Sequence, residues 1–354
     1  SDPVWSSDGR YVYFSSRRER TSALWRVARE GGEAQRLTSG SGYEHDPSIC
    51  SNGARLAYAT QTESNAMYLR DLGSGDEIRL PQLRDNYLAA IAPDGSRIVY
   101  ALDQGRGNLD LWAQSVDKGK PSGQLDRLTE DTANASCPAF SPDGKWIAYH
   151  RIVGEERDIF TIPASGGQPI RFTDDPARDT QPAWSPDGSM LAFVSERGGG
   201  SHIWIEAVKE GAPAGPPRRI TDDRVVAVSP VWSPDGSRIA FVGFRDNRCE
   251  VWIVPIKAGA PPREITSGAH AKIVRWVGST DTLLVSGTWD EDRFTLRRVA
   301  LNGASVAPLD PPVILGSLTA LATFDVSRDG RTLVYSHENV KGNIWVHDAK
   351  SGTY

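Results

Sequence analysis

Pro182-Ala183-Trp184-Ser185-Pro186-Asp187-Gly188 is the stretch on which the fold is read. Ser-Pro-Asp-Gly is turn chemistry. Proline presets φ, the Asp side chain bonds its own backbone, and Gly188 supplies the positive φ that closes the turn. The preceding Pro-x-Trp is a short apolar strand. The same pattern stands at Pro138-Ala139-Phe140-Ser141-Pro142-Asp143-Gly144 and at Pro230-Val231-Trp232-Ser233-Pro234-Asp235-Gly236. Looser copies end at Gly9, Gly53, Gly95 and Gly330, and a worn one is Val274-Arg275-Trp276-Val277-Gly278. From Gly9 to Gly236 the spacing is 42 to 49 residues, the period of a four-stranded propeller blade.

More than the turn recurs. A β-rich run follows each Asp-Gly, as in Ile147-Ala148-Tyr149, Leu191-Ala192-Phe193 and Ile239-Ala240-Phe241. A run centred on Trp comes next (Ile203-Trp204-Ile205, Val251-Trp252-Ile253), and each unit closes on a hydrophobic-Thr pair (Arg171-Phe172-Thr173, Arg219-Ile220-Thr221). Four short β segments per unit without a helical period predict an all-β radial repeat. The Trp before each turn is expected to pack between neighbouring blades, because one sheet cannot bury its own face. Residues 1–354 are therefore read as a single β-propeller of about eight four-stranded blades, at roughly 1–40, 41–82, 83–131, 132–175, 176–223, 224–268, 269–312 and 313–354. Seven blades is the alternative, if the worn unit near Trp276 forms no blade of its own. The chain begins at Ser1-Asp2-Pro3, inside a repeat. A fragment or processed form is expected, with the strand that completes the last blade lying before Ser1 or after Tyr354.

The intact Ser-Pro-Asp-Gly copies at 141–144, 185–188 and 233–236 resemble the WD40-like PD40 repeat of bacterial TolB-type propellers, also found in the propellers of tricorn protease and prolyl-oligopeptidase relatives. The resemblance runs over nearly the whole chain and departs from the pattern near 49–53 and 274–281. It implies a rigid interaction or sensing propeller that takes a partner peptide at its channel mouth. Arrays of this repeat also accompany other domains, such as the DNA-binding or kinase domains of bacterial regulators.

Composition narrows the function. A formal net charge of −5 offers no basic field for nucleic acid. No apolar run is long enough to span a bilayer. The 3 cysteines, Cys50, Cys137 and Cys249, include no Cys-x-x-Cys pair and read as small buried residues. The hydrolase domain of the peptidase relatives needs a Gly-x-Ser-x-Gly elbow, and the sequence has none. The sequence names no compartment; periplasmic or extracytoplasmic is the expectation.

Simple up-and-down connectivity puts the blade-joining loops and the strand-two to strand-three loops on one face, opposite the Asp-Gly turns. That face collects Arg, Asp, Glu and His. Its candidate ligand-binding residues, at the channel mouth, are Glu44, His45, Asp46, Arg151, Asp179, Arg197, Arg245 and His270. Ion pairing between blades is the competing explanation of the same charges. No cofactor is expected, except that Glu44, Asp46 and Asp179 converging on an axis would suit Ca²⁺. The expected partner is a protein, a peptide or a small polar ligand, bound by a monomer. The alternative is a lyase or glycosidase for an acidic carbohydrate at the same face, using His45 and His270. The second and seventh repeats depart most from their siblings and are the first places to look for chemistry.

Overall fold

The structure, a computed structural model, describes residues 3–6, 8–19, 21–38, 43–49, 55–80, 89–103, 108–257, 260–277, 281–289, 293–302, 306–317 and 323–348; of 17–19, 21, 43–46, 48–49, 55–56, 58–66 and 338–348 it describes the backbone alone. The chain forms two compact units. One comprises Ser1–Ser64 with Asn339–Tyr354, the other Asn65–Glu338. The repeat reading treats 1–354 as one propeller.

The first unit contains a four-stranded sheet, β1 (Val4–Trp5), β2 (Tyr11–Glu19), β3 (Thr21–Ala28) and β4 (Gln35–Arg36). It also contains β5 (Tyr43–Ile49), which pairs antiparallel with the first half of the long β6 (Arg55–Asp71). Leu24 is its buried centre, with Tyr13 and Leu37 packed against it. Trp5 remains 55% exposed.

The second unit takes the last part of β6, then β7 (Glu77–Arg79). Four sheets follow in order. They are β8 (Ala89–Ile91), β9 (Arg97–Leu102), β10 (Asp110–Asp117) and β11 (Lys120–Arg127); β12 (Asn134–Phe140), β13 (Trp146–Val153), β14 (Glu156–Pro163) and β15 (Ile170–Arg171); β16 (Asp179–Trp184), β17 (Met190–Ser195) and β18 (His202–Lys209) with β19 (Ala212–Pro213) and β20 (Arg218–Arg219); and β21 (Val226–Trp232), β22 (Arg238–Arg245), β23 (Arg248–Pro255) and β24 (Arg263–Glu264). The fifth has β25 (Ile273–Trp276), β26 (Thr282–Gly287), β27 (Arg293–Ala300), β28 (Val306–Pro308) and β29 (Ile314–Ser317). The sixth is composite: β30 (Phe324–Val326) and β31 (Thr332–Asp348) join β6 and β7.

The eight repeats thus make seven sheets among the described residues. The physical reason is strand sharing. β6 and β31 are each 17 residues long, and within 65–338 the end of the second repeat and the start of the eighth share one sheet instead of folding apart. Within 65–338, chain ends far apart in sequence complete the same sheet.

Six apolar clusters sit at the six junctions of this ring. Met67, Leu69, Ile98 and Tyr100 join the composite sheet to the first. Val99 and Leu111 meet Ile147 and Tyr149 at the next. Ala148 and Ile159 meet Leu191 and Phe193; Ile203 and Ile205 meet Phe241 and Trp252; Val242 and Val251 meet Val274 and Val285; Leu284 and Leu296 meet Phe324 and Leu333. Each sheet is thus buried on both faces, which explains why its strands read as apolar runs. Full burial of one such side chain is worth about 1.5–3 kcal/mol.

The signature turn is a small hydrogen-bond cage. Ser233 Oγ donates to Asp235 Oδ1 at 2.5 Å, the Ser237 amide donates to the same oxygen at 3.1 Å, and the Arg238 amide donates to Ser233 Oγ at 3.0 Å. Ser6, Ser141, Ser185 and Ser327 repeat it. Gly236 closes the turn at φ +70, and a Cβ there would lie 3.3 Å from Pro186 Cγ of the neighbouring sheet. The hydrophobic-Thr ending is structural as well. Thr129, Thr173, Thr221 and Thr266 each accept, through Oγ1, the amide of a third-strand residue at 2.9 Å.

Candidate functional site

The first strands β8, β12, β16, β21, β25 and β30 are the inner edges of the six sheets, and residues from all of them line one cavity of about 700 Å³. An edge strand leaves main-chain groups unpaired on one side. Here the repeat meets them with its own Trp. Trp184 Nε1 donates to Ala139 O at 3.1 Å, Trp232 Nε1 to Ala183 O at 3.1 Å, and Trp276 Nε1 to Val231 O at 3.3 Å. The expected packing of Trp between blades is thus a ladder of indole hydrogen bonds, each reaching back to the preceding first strand.

Three of these strands carry the same irregularity. Register shifts occur between Ser136 and Ala139, Thr180 and Ala183, and Val228 and Val231. At each, the residue before proline has positive φ: Cys137 at 51°, Gln181 at 54° and Ser229 at 53°. Such a conformation is uncommon outside glycine, and a bulge redirects the side chain that carries it. Proline follows without loss, because an edge strand spares its missing N–H. All three bulged residues line the cavity. They are tied together in part: the Ser229 amide donates to Gln181 Oε1 at 2.7 Å, and Ser229 Oγ to Lys272 O at 3.3 Å.

The remaining lining is apolar on one side and charged on the other. Phe140, Trp184, Trp232 and Phe324, with Pro142, Pro186 and Pro234 of the signature turns, supply the apolar surface. Lys272, Arg275, Asp325 and Arg328 come from the fifth and sixth sheets. Arg275 Nε donates to Asp325 Oδ1 at 2.8 Å, and the Ile91 amide of the first sheet donates to Asp325 Oδ2 at 3.0 Å. One carboxylate therefore bridges three sheets where Ile91 and Val326 stand in place of the repeat Trp. Lys272 Nζ lies 4.2 Å from the centre of the Phe294 ring. Burial pushes the Cys137 thiol up to about 11, against the opposing fields of Arg275 and Arg157.

Five of the residues singled out from sequence lie elsewhere in residues 65–338. Asp179 is buried and receives Arg197 Nη2 at 2.6 Å; Arg197 Nε also approaches Asp175 at 3.4 Å. Burial raises the Asp179 carboxyl, while Ser195 and Arg197 oppose it. Arg151 pairs with Asp131 at 3.0 Å and stacks 5.4 Å over Phe160. Arg245 reaches Asp246 at 3.4 Å and Glu264 at 3.6 Å, over Trp252. His270 is exposed ahead of β25 with φ 43°. None of these five lines the cavity, and the arginines and Asp179 are bound within their own sheets or to the loop that leads into them. The backbone of Glu44, His45 and Asp46 lies in β5, and their side chains lie outside the described residues, as does Cys50. Of the carboxylates expected around a cation, Asp179 is turned onto Arg197, and no group of three His, Cys, Asp or Glu suited to a metal occurs among the described residues.

Sequence reasoning looked away from the Asp-Gly face, yet the cavity runs to Pro142, Pro186, Pro234 and Arg328 of those turns. Two signals were available. The residue before each signature proline recurs at one position, and the worn seventh repeat substitutes Arg275 where its siblings carry Ala183 and Val231. Cys137 and Cys249 are half-buried rather than sealed, and Cys137 faces the channel lining.

No helix among the described residues is long and apolar enough to cross a membrane. The chain is 33% identical over 162 residues to the uncharacterized peptidase YuxL of Bacillus subtilis, covering 45% of this chain and 22% of that protein. It is 26% identical over 150 residues to the Tol-Pal system protein TolB of Francisella tularensis, covering 42% and 34%. It is 25% identical to the uncharacterized protein Atu1656 of Agrobacterium fabrum, covering 46% and 55%. The chain thus matches between about a fifth and just over half of the length of these relatives. In structure it resembles a putative TolB from Agrobacterium tumefaciens, with a TM-score of 0.64 at 19% identity over 78% of this chain and 99% of that one. TolB from Acinetobacter baumannii gives 0.56 at 17% identity over 91% and 78%. The model of the PD40 family, the TolB beta propeller domain, matches residues 1–121 and 120–217. With its Ser-Pro-Asp-Gly turns caged and its repeat Trp residues laddered from sheet to sheet, the chain belongs to the PD40 family of TolB beta propeller domains.

Proposed function

We propose that this chain is a non-catalytic binding propeller that takes an extended segment of a partner protein in the channel of residues 65–338, acting as a monomer. The observation that carries this reading is the set of three bulges. Cys137, Gln181 and Ser229 hold positive φ at matching places in three successive first strands and line the same cavity. Strained positions of this kind persist where the surroundings over-determine them and recur at functional sites. Flanking aromatic and proline side chains suit an extended peptide, which brings its own main-chain donors and acceptors. The similarity to TolB of the Tol-Pal system is consistent with such a role.

The lyase or glycosidase reading finds less support. Among the described residues the cavity lining has one carboxylate, Asp325, already accepting from Arg275 and Ile91, and no histidine. General acid–base catalysis needs a group free to exchange a proton. His270, its candidate base, is outside the lining.

Selection of random decapeptides on the wild-type protein tests the proposal. Ser229→Tyr puts a large side chain at the bulge. Selected peptides are expected to lose binding to this variant while its melting temperature stays within a few degrees. Peptides that bind Ser229→Tyr as well as wild type would refute channel binding.

A further inference from the structure

The channel is not electrically even. Among the described lining residues the charged side chains all come from the fifth and sixth sheets: Arg275 and Arg328 face Asp325, while Lys272 lies over the Phe294 ring. The wall supplied by β12, β16 and β21 offers Cys137, Gln181, Ser229 and the signature prolines, none of them charged. Asp325 spends one oxygen on Arg275 and the other on the Ile91 amide. Arg275 is engaged through Nε and through Nη1, which donates to Val274 O at 2.9 Å; its Nη2 makes no hydrogen bond among the described residues. Arg328 is exposed at the turn after β30, and no ion pair is found for it among the described residues. This excess of positive charge sits in a chain whose formal net charge is −5. A concave site with apolar walls focuses the field of such groups on whatever enters.

We infer that the channel selects an acidic segment: an extended peptide whose apolar and proline residues lie against Phe140 and Trp184 while its carboxylates meet Arg275 and Arg328. This rests on the peptide-binding reading above and adds the charge of the ligand. Arginine suits the task, since its fork meets a carboxylate with two donors and stays charged at any working pH. A hydroxyl-rich acidic saccharide shares the carboxylate but not the fit. The neutral polar groups of the lining are already engaged: Gln181 Oε1 and Ser229 Oγ as above, the Ser185, Ser233 and Ser327 hydroxyls with the Asp of their own turns, and Thr323 Oγ1 with Ser336 Oγ.

Calorimetric titration of the full chain with the decapeptides (Pro-Glu)5, (Pro-Gln)5 and (Pro-Lys)5, and with tetragalacturonate, tests this. Proline alternation holds all three peptides extended, so backbone ordering costs them alike. (Pro-Glu)5 is expected to bind at least about tenfold more tightly than (Pro-Gln)5, the scale of one charge-assisted hydrogen bond. Its affinity should fall with added salt, and (Pro-Lys)5 should bind most weakly. Arg328→Glu, a surface change, should weaken (Pro-Glu)5 about tenfold or more and (Pro-Gln)5 by a smaller factor. Equal binding of (Pro-Glu)5 and (Pro-Gln)5 would overturn the acidic selectivity and leave the peptide reading standing. If no peptide binds, the peptide reading falls and this inference with it. Tetragalacturonate binding as tightly as (Pro-Glu)5 would replace the peptide by an acidic saccharide. An Arg328→Glu variant that binds (Pro-Glu)5 normally would overturn the assignment to this wall.

Discussion

Asp325 joins three sheets through one carboxylate: its Oδ1 accepts Arg275 Nε at 2.8 Å and its Oδ2 accepts the Ile91 amide at 3.0 Å. From β12 round to β25 the repeat Trp bridges adjacent first strands. At this closure the Trp is absent and a half-buried ion pair takes its place. Asp325→Asn keeps the shape, removes the charge and leaves Arg275 unpaired in a partly enclosed site. Removing one partner of such a pair costs about 1–3 kcal/mol. The expected outcome is a lower urea midpoint at unchanged slope; an unaltered midpoint would show the bridge to be dispensable.

Trp232 combines a hydrogen bond to Ala183 O at 3.1 Å with near-complete burial. Trp252 is as deeply buried, but its Nε1 finds no hydrogen-bond partner among the described residues. Trp232→Phe should therefore cost more than Trp252→Phe, by about 1 kcal/mol, the net worth of one hydrogen bond. Paired urea titrations measure the difference. Equal losses would mean that the indole ladder contributes only packing.

His150 is buried in β13, and its Nδ1 makes no hydrogen bond among the described residues. Burial, with a smaller push from Arg157, lowers its pKa from 6.5 to about 4. The unfolded chain therefore takes up this proton first as pH drops. Stability rises with pH where the unfolded state binds more protons, so this histidine weakens the fold from about pH 6.5 down to about pH 4. In His150→Gln that part of the acid sensitivity should vanish. Parallel urea midpoints from pH 7 to 4 in the two proteins would contradict the assignment.

Asp235 works in the opposite sense. The Ser233 hydroxyl, then the amide and hydroxyl of Ser237, hold its carboxyl down to about 2. Asp8 and Asp187 are lowered by the same arrangement, and Asp94 by the hydroxyl and amide of Ser96 alone. A depressed folded pKa stabilises above the unfolded value of about 3.9 and is lost as pH falls towards the folded one. The stability gap between wild type and Asp235→Asn should stay constant above pH 5 and close between about pH 4 and pH 2. A gap independent of pH would mean that the cage holds the turn by shape alone.

Much of the fold was legible because its signals are local. Ser233, Asp235 and Gly236 interact within five residues of one another, so the turn is visible in any window that contains it. The alternation of apolar runs and Thr endings is equally short-range. The site was less legible. Asp179 and Arg197 looked like binding groups because both are charged and lie near strand ends; their mutual distance of 2.6 Å is a property of folded neighbours 18 positions apart. The cavity lining was hidden inside the signature itself, at Cys137, Gln181 and Ser229 before each proline, where no charged letter draws attention.

The sequence by itself determined an all-β repeat, the place of its tight turns, and Trp as the residue that joins one unit to the next. Its reasons are short-range sterics and hydrogen bonds that each repeat satisfies alone. Only the tertiary structure decided which strands share a sheet. β6 and β31 each serve more than one partner, and pairing across 258 positions, as between Glu77 and Tyr335, is selected by the burial gained when a sheet gains a neighbour. The same term separates two tryptophans at equivalent places in the repeat, Trp232 at 6% exposure and Trp5 at 55%. The residue type is written in the chain, but what covers it is supplied by another sheet.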